Sequence, residues 1–412
     1  MNEQIKQRIE QIRRGELPQG YKRTRAGVMP LDWCIEKEYK AKDVFKSVTN
    51  KKHNGEFEVL SATQDKGVIP RSLVDIDIKF DETNITGYKK VDRGDFVISL
   101  RSFQGGIEYS EYEGLVSPAY TVLKPIVPIC DGYYKAYFKT GDYINRLNKG
   151  TYGIRDGKQI GFEDFGDMIL HYPTLVEQQR IADFLCAQDK LIALKEKLIE
   201  EKKRQKKALM QQLLTGKKRL PGFSGEWVDV KLGDIFAERV ETNCQGLELL
   251  SVTGINGVVP RSTIETKDNS SEDKSKYLKI CKGDIGYNTM RMWQGVSALS
   301  DYEGIVSPAY TILVPSERIS AKYFSYLFKM HAVIFLFYRF SQGIVDDTRS
   351  LKYHEFAKLH LNVPSDKCEQ EAIAEILTAS DKELEILQKD LDQEKQKKKA
   401  LMQLLLTGIV RV

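Results

Sequence analysis

The 412-residue sequence predicts an α+β protein in which two mixed α/β domains, related by an internal repeat, are joined by two long helices. The repeat is the main evidence, since several blocks recur in the same order at nearly constant spacing. The matching blocks are VLSATQDKGVIPRS (59–72) with LLSVTGINGVVPRS (249–262), EYEGLVSPAYTVLKP (111–125) with DYEGIVSPAYTILVP (301–315), and KKALMQQLLTG (206–216) with KKALMQLLLTG (398–408). The chain is therefore two copies of one module of about 190 residues, preceded by a short extension.

The first part of each copy predicts strands and loops. Runs such as DFVISL at 95–100 and VSPAYTVL at 116–123 are rich in β-branched and aromatic residues and are bounded by Gly or Pro.

The second part of each copy predicts one long helix. Neither Gly nor Pro occurs between Leu175 and Gly216, and Thr174 with Glu177 forms a capping-box pattern at the start. Gly216 and its counterpart Gly408 are expected C-cap positions. The sequence thus divides into an N-terminal helical segment and alternating domains and helices, with expected bounds 1–20, 21–173, 174–219, 220–364 and 365–412.

The two helices are predicted to form an antiparallel coiled coil. Apolar positions such as Ile373, Leu377 and Leu384 recur in alternating steps of four and three, which is the heptad pattern. Residues 176–219 carry a net charge of +6 and residues 368–412 carry −2, so their charges favour association. The repeated leucine-rich ends exceed what a two-helix seam needs, so part of them is expected to contact another chain. These candidate partner-interface residues are Leu209, Met210, Leu213, Leu214, Leu401, Met402, Leu405 and Leu406.

Composition excludes several classes of protein. No apolar run reaches 18 residues and the N-terminus lacks an apolar signal region, so neither a membrane span nor secretion is expected. The six cysteines are scattered and contain no CxxC pair, which favours a reduced, cytoplasmic protein without a disulfide or zinc framework.

Catalytic motifs are missing as well. The sequence has no GxxxxGK[ST] phosphate loop, no GxGxxG after a strand and no HExxH. The SPAY tetrapeptides at 117–120 and 307–310 superficially resemble the base-gripping loop of amino-methyltransferases, but the second proline is missing, which favours a structural role at a strand entry. We therefore predict no catalytic residue, no metal site and no cofactor in this chain.

Candidate DNA-contacting residues lie where the copies diverge between matching flanks, and in a Pro-Arg-Ser loop that both copies keep. Arg, Gln and Asn can pair with base edges in the major groove, and aromatic residues accompany them. The candidates are Arg71, Ser72, Arg101, Ser102, Gln104, Tyr152, Arg155 and Lys158 in copy one, and Arg261, Ser262, Asn288, Arg291, Trp293, Gln294, Arg349 and Lys352 in copy two. Residues 31–175 carry −2 and residues 220–367 carry −1, so each module alone should bind DNA weakly.

The layout resembles the specificity subunit of type I restriction-modification systems. The resemblance rests on GYKRTRAGVMPLDW (20–33), on EQQRIADFL and EQEAIAEIL at the helix starts, and on the paired ALMQ.LLTG blocks, and it spans nearly the whole chain. It implies two target-recognition domains that each read one half of an asymmetric, bipartite double-stranded DNA site, and helices that set the spacing.

The resemblance also implies partners. Two modification subunits would dock on the helices and methylate adenine at N6 with S-adenosylmethionine, and two restriction subunits would use ATP and Mg. The chain itself would be non-catalytic. Two alternatives remain at this point: a detached specificity module of a fused restriction-methyltransferase, with a nuclease as a further enzymatic possibility, and a coiled-coil scaffold that never reads DNA.

Overall fold

A computed structural model describes residues 3–34, 37–74, 82–150, 160–244, 246–254, 256–265, 270–343, 345 and 348–412. The chain forms two compact units, and neither is a continuous segment. Unit 1 contains residues 1–195 and 390–412, and unit 2 contains residues 196–389. Each unit therefore holds one globular domain, together with the part of one long helix nearest that domain and the opposite part of the other helix.

Unit 1 is built from short strands and short helices that precede a long helix. Its strands are β1 (Tyr21–Thr24), β2 (Gly27–Pro30), β3 (Phe45–Val48), β4 (Leu60–Thr63), β5 (Gly67–Pro70), β6 (Lys89–Val91), β7 (Phe96–Ile98), β8 (Glu108–Tyr109), β9 (Gly114–Val116) and β10 (Thr121–Pro125). Its helices are α1 (Glu3–Arg13), α2 (Ala41–Val44), α3 (Ser102–Gly105), α4 (Asp131–Tyr137), α5 (Gly141–Gly150), α6 (Phe162–Gly166) and the first part of α7 (Leu175–Leu213).

Unit 2 has a similar order of elements. Its strands are β11 (Trp227–Lys231), β12 (Phe236–Glu238), β13 (Leu250–Thr253), β14 (Gly257–Pro260), β15 (Leu278–Ile280), β16 (Ile285–Asn288), β17 (Ser297–Leu299), β18 (Gly304–Val306), β19 (Tyr310–Pro315) and β20 (His360–Pro364). Its helices are α8 (Leu232–Ile235), α9 (Ala321–Leu327), α10 (His331–Phe340), α11 (Tyr353–Phe356) and the first part of α12 (Lys367–Leu406). Unit 2 differs from unit 1 in that the strand pair β11-β20 is present and the hairpin β1-β2 has no counterpart among its described residues.

The same antiparallel sheet forms the centre of both domains. Its strand order is β3-β10-β7-β8 in unit 1 and β12-β19-β16-β17 in unit 2. The hairpins β4-β5 and β13-β14 and the pairs β6-β9 and β15-β18 flank these sheets in the same way. Matching topology in the two units confirms the predicted α+β fold with an internal repeat.

A buried aromatic cluster anchors each sheet to its helices. In unit 1, Phe45 makes edge-on contact with Tyr134 at a ring-centroid distance of 5.3 Å and packs on Phe138 at 5.7 Å. In unit 2, Phe236 packs in the same way on Phe324 at 5.2 Å and on Phe328 at 5.8 Å. Tilted and edge-on pairs of this kind add to the stabilisation that burial of the rings already gives.

Within each unit the two helix segments run antiparallel, as predicted. In unit 1, Lys195 pairs with Asp390 at 2.5 Å, and Lys398 pairs with Asp189. In unit 2, Lys202 pairs with Glu383 at 2.6 Å, and Lys206 pairs with Asp381. In both pairs of contacts the residue number rises on one helix as it falls on the other, which is the register of an antiparallel pair.

The leucine-rich helix ends pack into the domains of the chain itself. Leu213 and Leu214 are buried in the core of unit 2, and Leu405 and Leu406 are buried in the core of unit 1, each at most 2% exposed. Their prediction as partner contacts is therefore corrected, because the chain covers them. The four other candidates, Leu209, Met210, Leu401 and Met402, are partly buried against the same cores. The apolar excess in the sequence is explained by a helix end that completes a domain.

A second set of contacts, which we call the helix-start clamp, fixes the first turn of each long helix. In unit 2, Arg219 donates to both carboxylate oxygens of Glu369, at 2.6 and 2.7 Å. In unit 1, Arg411 donates in the same way to Glu177, which also accepts a hydrogen bond of 2.9 Å from the Trp33 indole. Both glutamates are nearly inaccessible to solvent, so the arginines neutralise charges that would be costly to bury alone.

A tight turn at a glycine follows each of the two long helices. Gly216 and Gly408 adopt positive φ angles of 71° and 72°, as expected of helix C-caps. A Cβ at Gly408 would lie 2.6 Å from Pro30, and a Cβ at Gly216 would lie 3.1 Å from the ring of Trp227. The backbone angle favours glycine at both positions, and the lack of space favours it further at Gly408.

One buried histidine lies beside the end of α12 in unit 1. Its side chain, His171, is fully buried, with Nδ1 2.8 Å from the carbonyl oxygen of Leu406 and Nε2 3.3 Å from that of Ala26. Burial lowers the pKa of His171 to about 4, so the ring is neutral near pH 7.

Candidate nucleic-acid interface

The Pro-Arg-Ser loops follow the hairpins β4-β5 and β13-β14. A 3₁₀ turn begins at Arg71 in unit 1 and at Arg261 in unit 2. The Arg71 amide donates to the Val59 carbonyl at 3.0 Å, and the Arg261 amide donates to that of Leu249 at 2.8 Å. The backbone of each loop is thus fixed by the preceding strand segment. The following serines, Ser72 and Ser262, are exposed, and the Ser72 hydroxyl donates to Glu58 at 2.7 Å.

The SPAY tyrosines lie beside these loops. Burial raises the pKa of Tyr120, and the positive charges of Arg71 and Arg101 act against that rise. Both guanidinium groups are therefore within electrostatic reach of the same ring. Burial also raises the pKa of Tyr310 in unit 2, where Arg261 acts in the same direction as Arg71. In unit 1 the structure thus brings two predicted loops together around a tyrosine that we had assigned only a structural role.

The divergent loop of unit 1 follows β7. Arg101 and Gln104 are exposed there, as a base-contacting role requires. Ser102 is 1% exposed, and its hydroxyl accepts a hydrogen bond of 2.8 Å from the amide of Ser99. The prediction for Ser102 is therefore corrected, because this side chain closes the turn that presents its neighbours.

The corresponding loop of unit 2 follows β16. Arg291 and Gln294 are exposed, and Met292 is buried beneath them. The Asn288 side chain accepts a hydrogen bond of 3.0 Å from the Met290 amide, so it is engaged in shaping the turn. The Trp293 indole donates to the Met290 carbonyl at 2.9 Å.

An aromatic cluster joins this loop to the last candidates of unit 2. The guanidinium of Arg349 lies 4.1 Å from the ring centroid of Tyr338 and donates to its hydroxyl at 3.0 Å. Trp293 meets the same ring edge-on at 6.2 Å, and the half-exposed Phe335 stacks on it at 6.4 Å. Lys352 is exposed at the start of α11, and in the described part of the chain it makes no contact with this cluster.

Sequence reasoning missed Tyr338, Phe335 and the role of the SPAY tyrosines. The signal was the aromatic density of HAVIFLFYRF at 331–340, which alone cannot separate core from surface. The copy-one candidates Tyr152, Arg155 and Lys158 lie outside the described residues.

The part of the chain that the structure describes has neither a metal-binding cluster nor a membrane-spanning helix. No group of three or more His, Cys, Asp or Glu side chains is arranged to hold a metal ion there. No helix in those residues is long and apolar enough to cross a membrane.

Comparisons with known proteins agree on one family. The model of the type I restriction modification DNA specificity domain matches residues 35–204 and again 224–395. The MjaVIII specificity subunit of a type I restriction enzyme from Methanocaldococcus jannaschii is 24% identical over 349 residues, which are 78% of this chain and 80% of that protein.

Solved structures support the fold. The HsdS subunit from Thermoanaerobacter tengcongensis matches with a TM-score of 0.52 and 14% identity, covering 96% of this chain and 98% of that one. A chain from a study of complex assembly and conformational transition of the type I R-M system matches with a TM-score of 0.54 and 13% identity, over 96% of this chain and 100% of that one.

A duplicated α+β domain, followed each time by a long helix, defines a two-domain specificity protein. This chain belongs to the type I restriction-modification DNA specificity family. It is a specificity subunit, the component of such systems that has no catalytic activity of its own.

Proposed function

We propose that each unit reads one half of an asymmetric, bipartite DNA site and that the chain directs two modification subunits, which methylate adenine at N6, to that site. One observation carries this proposal. The same loop position in both units displays an exposed arginine and an exposed glutamine, Arg101 with Gln104 and Arg291 with Gln294, above a turn that a buried side chain holds. The shared arginine and glutamine can contact base edges in either half-site, and the residues between them differ between the units, which suits two readers with different targets.

The proposal is tested on the methylated motif of cells that carry the chain and its modification subunits. R101A with Q104A should relax or abolish recognition in one half-site and leave the other unchanged. R291A with Q294A should do the converse, because each bidentate base contact contributes about 1–3 kcal/mol of discrimination. The matched controls R93A and R318A remove exposed arginines elsewhere in each unit and should leave the motif intact. If changes in one loop abolished recognition of both half-sites, the assignment of one half-site to each unit would be wrong.

Docking of the modification subunits is proposed for exposed apolar positions of the helices rather than for the buried leucines. Leu194 of unit 1 is 63% exposed and Ile386 of unit 2 is 68% exposed, although both lie on helices with polar surfaces. L194E and I386E should reduce co-purification with the modification subunit while the thermal unfolding midpoint stays nearly constant. Unchanged co-purification with both variants would place docking elsewhere.

The helices are proposed to set the spacing between the half-sites. Four residues inserted after Lys195 and four after Lys389 would lengthen both helices by about 6 Å. These positions leave the ion pairs of each unit intact. The unread spacer should grow by about one to two base pairs at about 3.4 Å per step. A changed half-site, or an unchanged spacer, would contradict this role.

The remaining components are proposed to come from partners. Two modification subunits would bring S-adenosylmethionine, and two restriction subunits would use ATP and Mg, while this chain binds none of them. Both domains carry a slightly negative net charge, which supports a DNA clamp completed by other subunits. Incubating the purified chain with labelled S-adenosylmethionine and DNA, with and without ATP and Mg, should show neither methyl transfer nor cleavage.

A further inference from the structure

Each unit has an open pocket at the same place, between its hairpin, its central sheet and the long helices. The pocket of unit 2 has a volume of about 1040 Å³ and that of unit 1 about 950 Å³. Four lysines are among the described residues that line each pocket. Three carboxylates accompany them in unit 1, namely Asp65, Glu108 and Asp189, whereas Asp381 is the one carboxylate described in the pocket of unit 2.

Equivalent lysines lie at the back of the two pockets. The Lys139 ammonium of unit 1 donates to the Gly105 carbonyl at 2.8 Å, and the Lys329 ammonium of unit 2 donates to the equivalent Gly295 carbonyl, also at 2.8 Å. Lys139 also contacts Glu108 at 2.5 Å, and Glu108 is 2% exposed. In unit 1 the chain therefore supplies its own anion to this partly buried lysine.

Unit 2 lacks that anion. Glu108 pairs with Val97 across β8-β7, and the same place across β17-β16 is taken by Ala298, opposite Gly286. Ala298 lines the pocket but offers no acceptor to Lys329. Among the described residues Lys329 has no carboxylate partner, and Gly295 is the acceptor recorded for its ammonium, so donors remain for a ligand.

The other lysines of this pocket add to the imbalance. Lys206 is engaged by Asp381 and lies 5.5 Å above the ring of Tyr326. Lys207 and Lys217 are exposed on the rim and form no ion pair with described residues. The pocket is therefore cationic from its rim to its partly buried back.

We propose that the unit 2 pocket is a binding site for a phosphate-type anion, which takes the place that Glu108 occupies in unit 1. Lysine ammonium groups commonly donate hydrogen bonds to phosphate. An anion at this depth is also screened less by solvent than one at the surface. Burial lowers the pKa of Lys329 to about 8, and a bound anion would favour its charged form. The site does not depend on the proposed reading of DNA, because free phosphate would also satisfy it.

The test measures binding of inorganic phosphate to the full chain by ³¹P NMR or titration calorimetry. The wild-type chain should bind one phosphate, and K329Q should bind it at least tenfold more weakly. A298E should also lose binding, because it places a carboxylate beside Lys329 as in unit 1. The matched control K322Q removes an exposed lysine of α9 outside the pocket and should bind like the wild type.

A reciprocal variant tests the same idea by gain of function. E108A removes the internal anion of unit 1 and should create a second phosphate site, raising the stoichiometry from one to two. Circular dichroism establishes that each variant is folded, and K329Q keeps the test valid if A298E does not fold. Absence of phosphate binding by the wild type, or equal binding by folded K329Q, would overturn the proposal.

The same measurement distinguishes the sources of the anion. If the pocket holds a backbone phosphate of nucleic acid, added duplex DNA should release the bound phosphate, and K329Q should weaken duplex binding irrespective of sequence. If the pocket holds a free phosphate compound, phosphate should remain bound when DNA is added. Both results support an anion site. Failure of the proposed DNA reading would show in the methylated motif and would leave this phosphate measurement unaffected.

Discussion

The helix-start clamps of the two units make the same bond with different segments of chain. In unit 2, Arg219 follows α7 closely and reaches Glu369 with no other described side chain as partner. In unit 1, Arg411 bridges Glu177 and Asp32, so three remote parts of the sequence meet. Both units therefore keep the same arginine–glutamate contact, although the segments of sequence that form it differ.

The largest expected effect tests whether each unit contains the helix end of the other sequence repeat. L406E lies in the second repeat of the sequence but should unfold unit 1, and L214E lies in the first but should unfold unit 2. Each places a carboxylate in a closed core and should cost more than about 3 kcal/mol. Hydrogen exchange should show lost protection in β10 for L406E and in β19 for L214E. The exposed-site variants L194E and I386E are the controls, and lost protection in the opposite unit would contradict the assignment.

The clamps themselves should differ in cost. R219A leaves Glu369 buried without a cation and should destabilise unit 2 by about 3 kcal/mol. R411A leaves Glu177 with the hydrogen bond from Trp33, so a loss of about 1–2 kcal/mol is expected in unit 1. Urea unfolding followed separately in each unit gives both values. Equal losses would mean that the Trp33 contact contributes nothing, and R219K would measure the part that needs bidentate geometry.

Acid should affect unit 1 through His171. Its pKa is about 4 in the folded chain and about 6.5 when unfolded, so the unfolded state binds more protons between these values. Stability should therefore fall by about 3 kcal/mol as the pH drops through this range. H171N introduces the residue found at the equivalent position of unit 2, Asn362, and should remove this part of the slope. The same dependence of stability on pH in the wild type and in H171N would exclude His171 as its cause.

Alkali should stabilise unit 2, and this effect should be smaller than the destabilisation of unit 1 by acid. The pKa of Lys329 is about 8 in the folded chain, below its unfolded value of about 10.4, so stability should rise as pH increases through that range. The other titratable side chains described in the same pocket are Lys206, Lys207, Lys217, Tyr326, His331 and Asp381. Screening in the open pocket limits the expected gain to about 1 kcal/mol. A flat difference between wild type and K329Q over this range would contradict it.

The sequence predicted the repeat, the two helices and their antiparallel pairing because each of these leaves a periodic or duplicated pattern. It could not show which surface covers a leucine, so Leu214 and Leu406 were expected at a partner and are found in the core. The sequence also could not show which polar side chains are exposed. Arg101 and Ser102 are adjacent and both polar, yet Arg101 is exposed and Ser102 is buried. The stacking of Arg349 on Tyr338 depends on a tertiary contact with no signature in spacing.

The end of each long helix packs into the domain of the other repeat, and this constrains which domains can be exchanged between related genes. A gene exchange that replaces one domain as a block brings foreign residues against Leu405 and Leu406, which belong to the second repeat. Only donors whose domains keep a matching apolar surface for those leucines can yield a folded chimera. The loops around Arg101 and Arg291 carry no such obligation. Recombination is thus constrained at the helix ends and unconstrained at the exposed loops that we propose to read DNA.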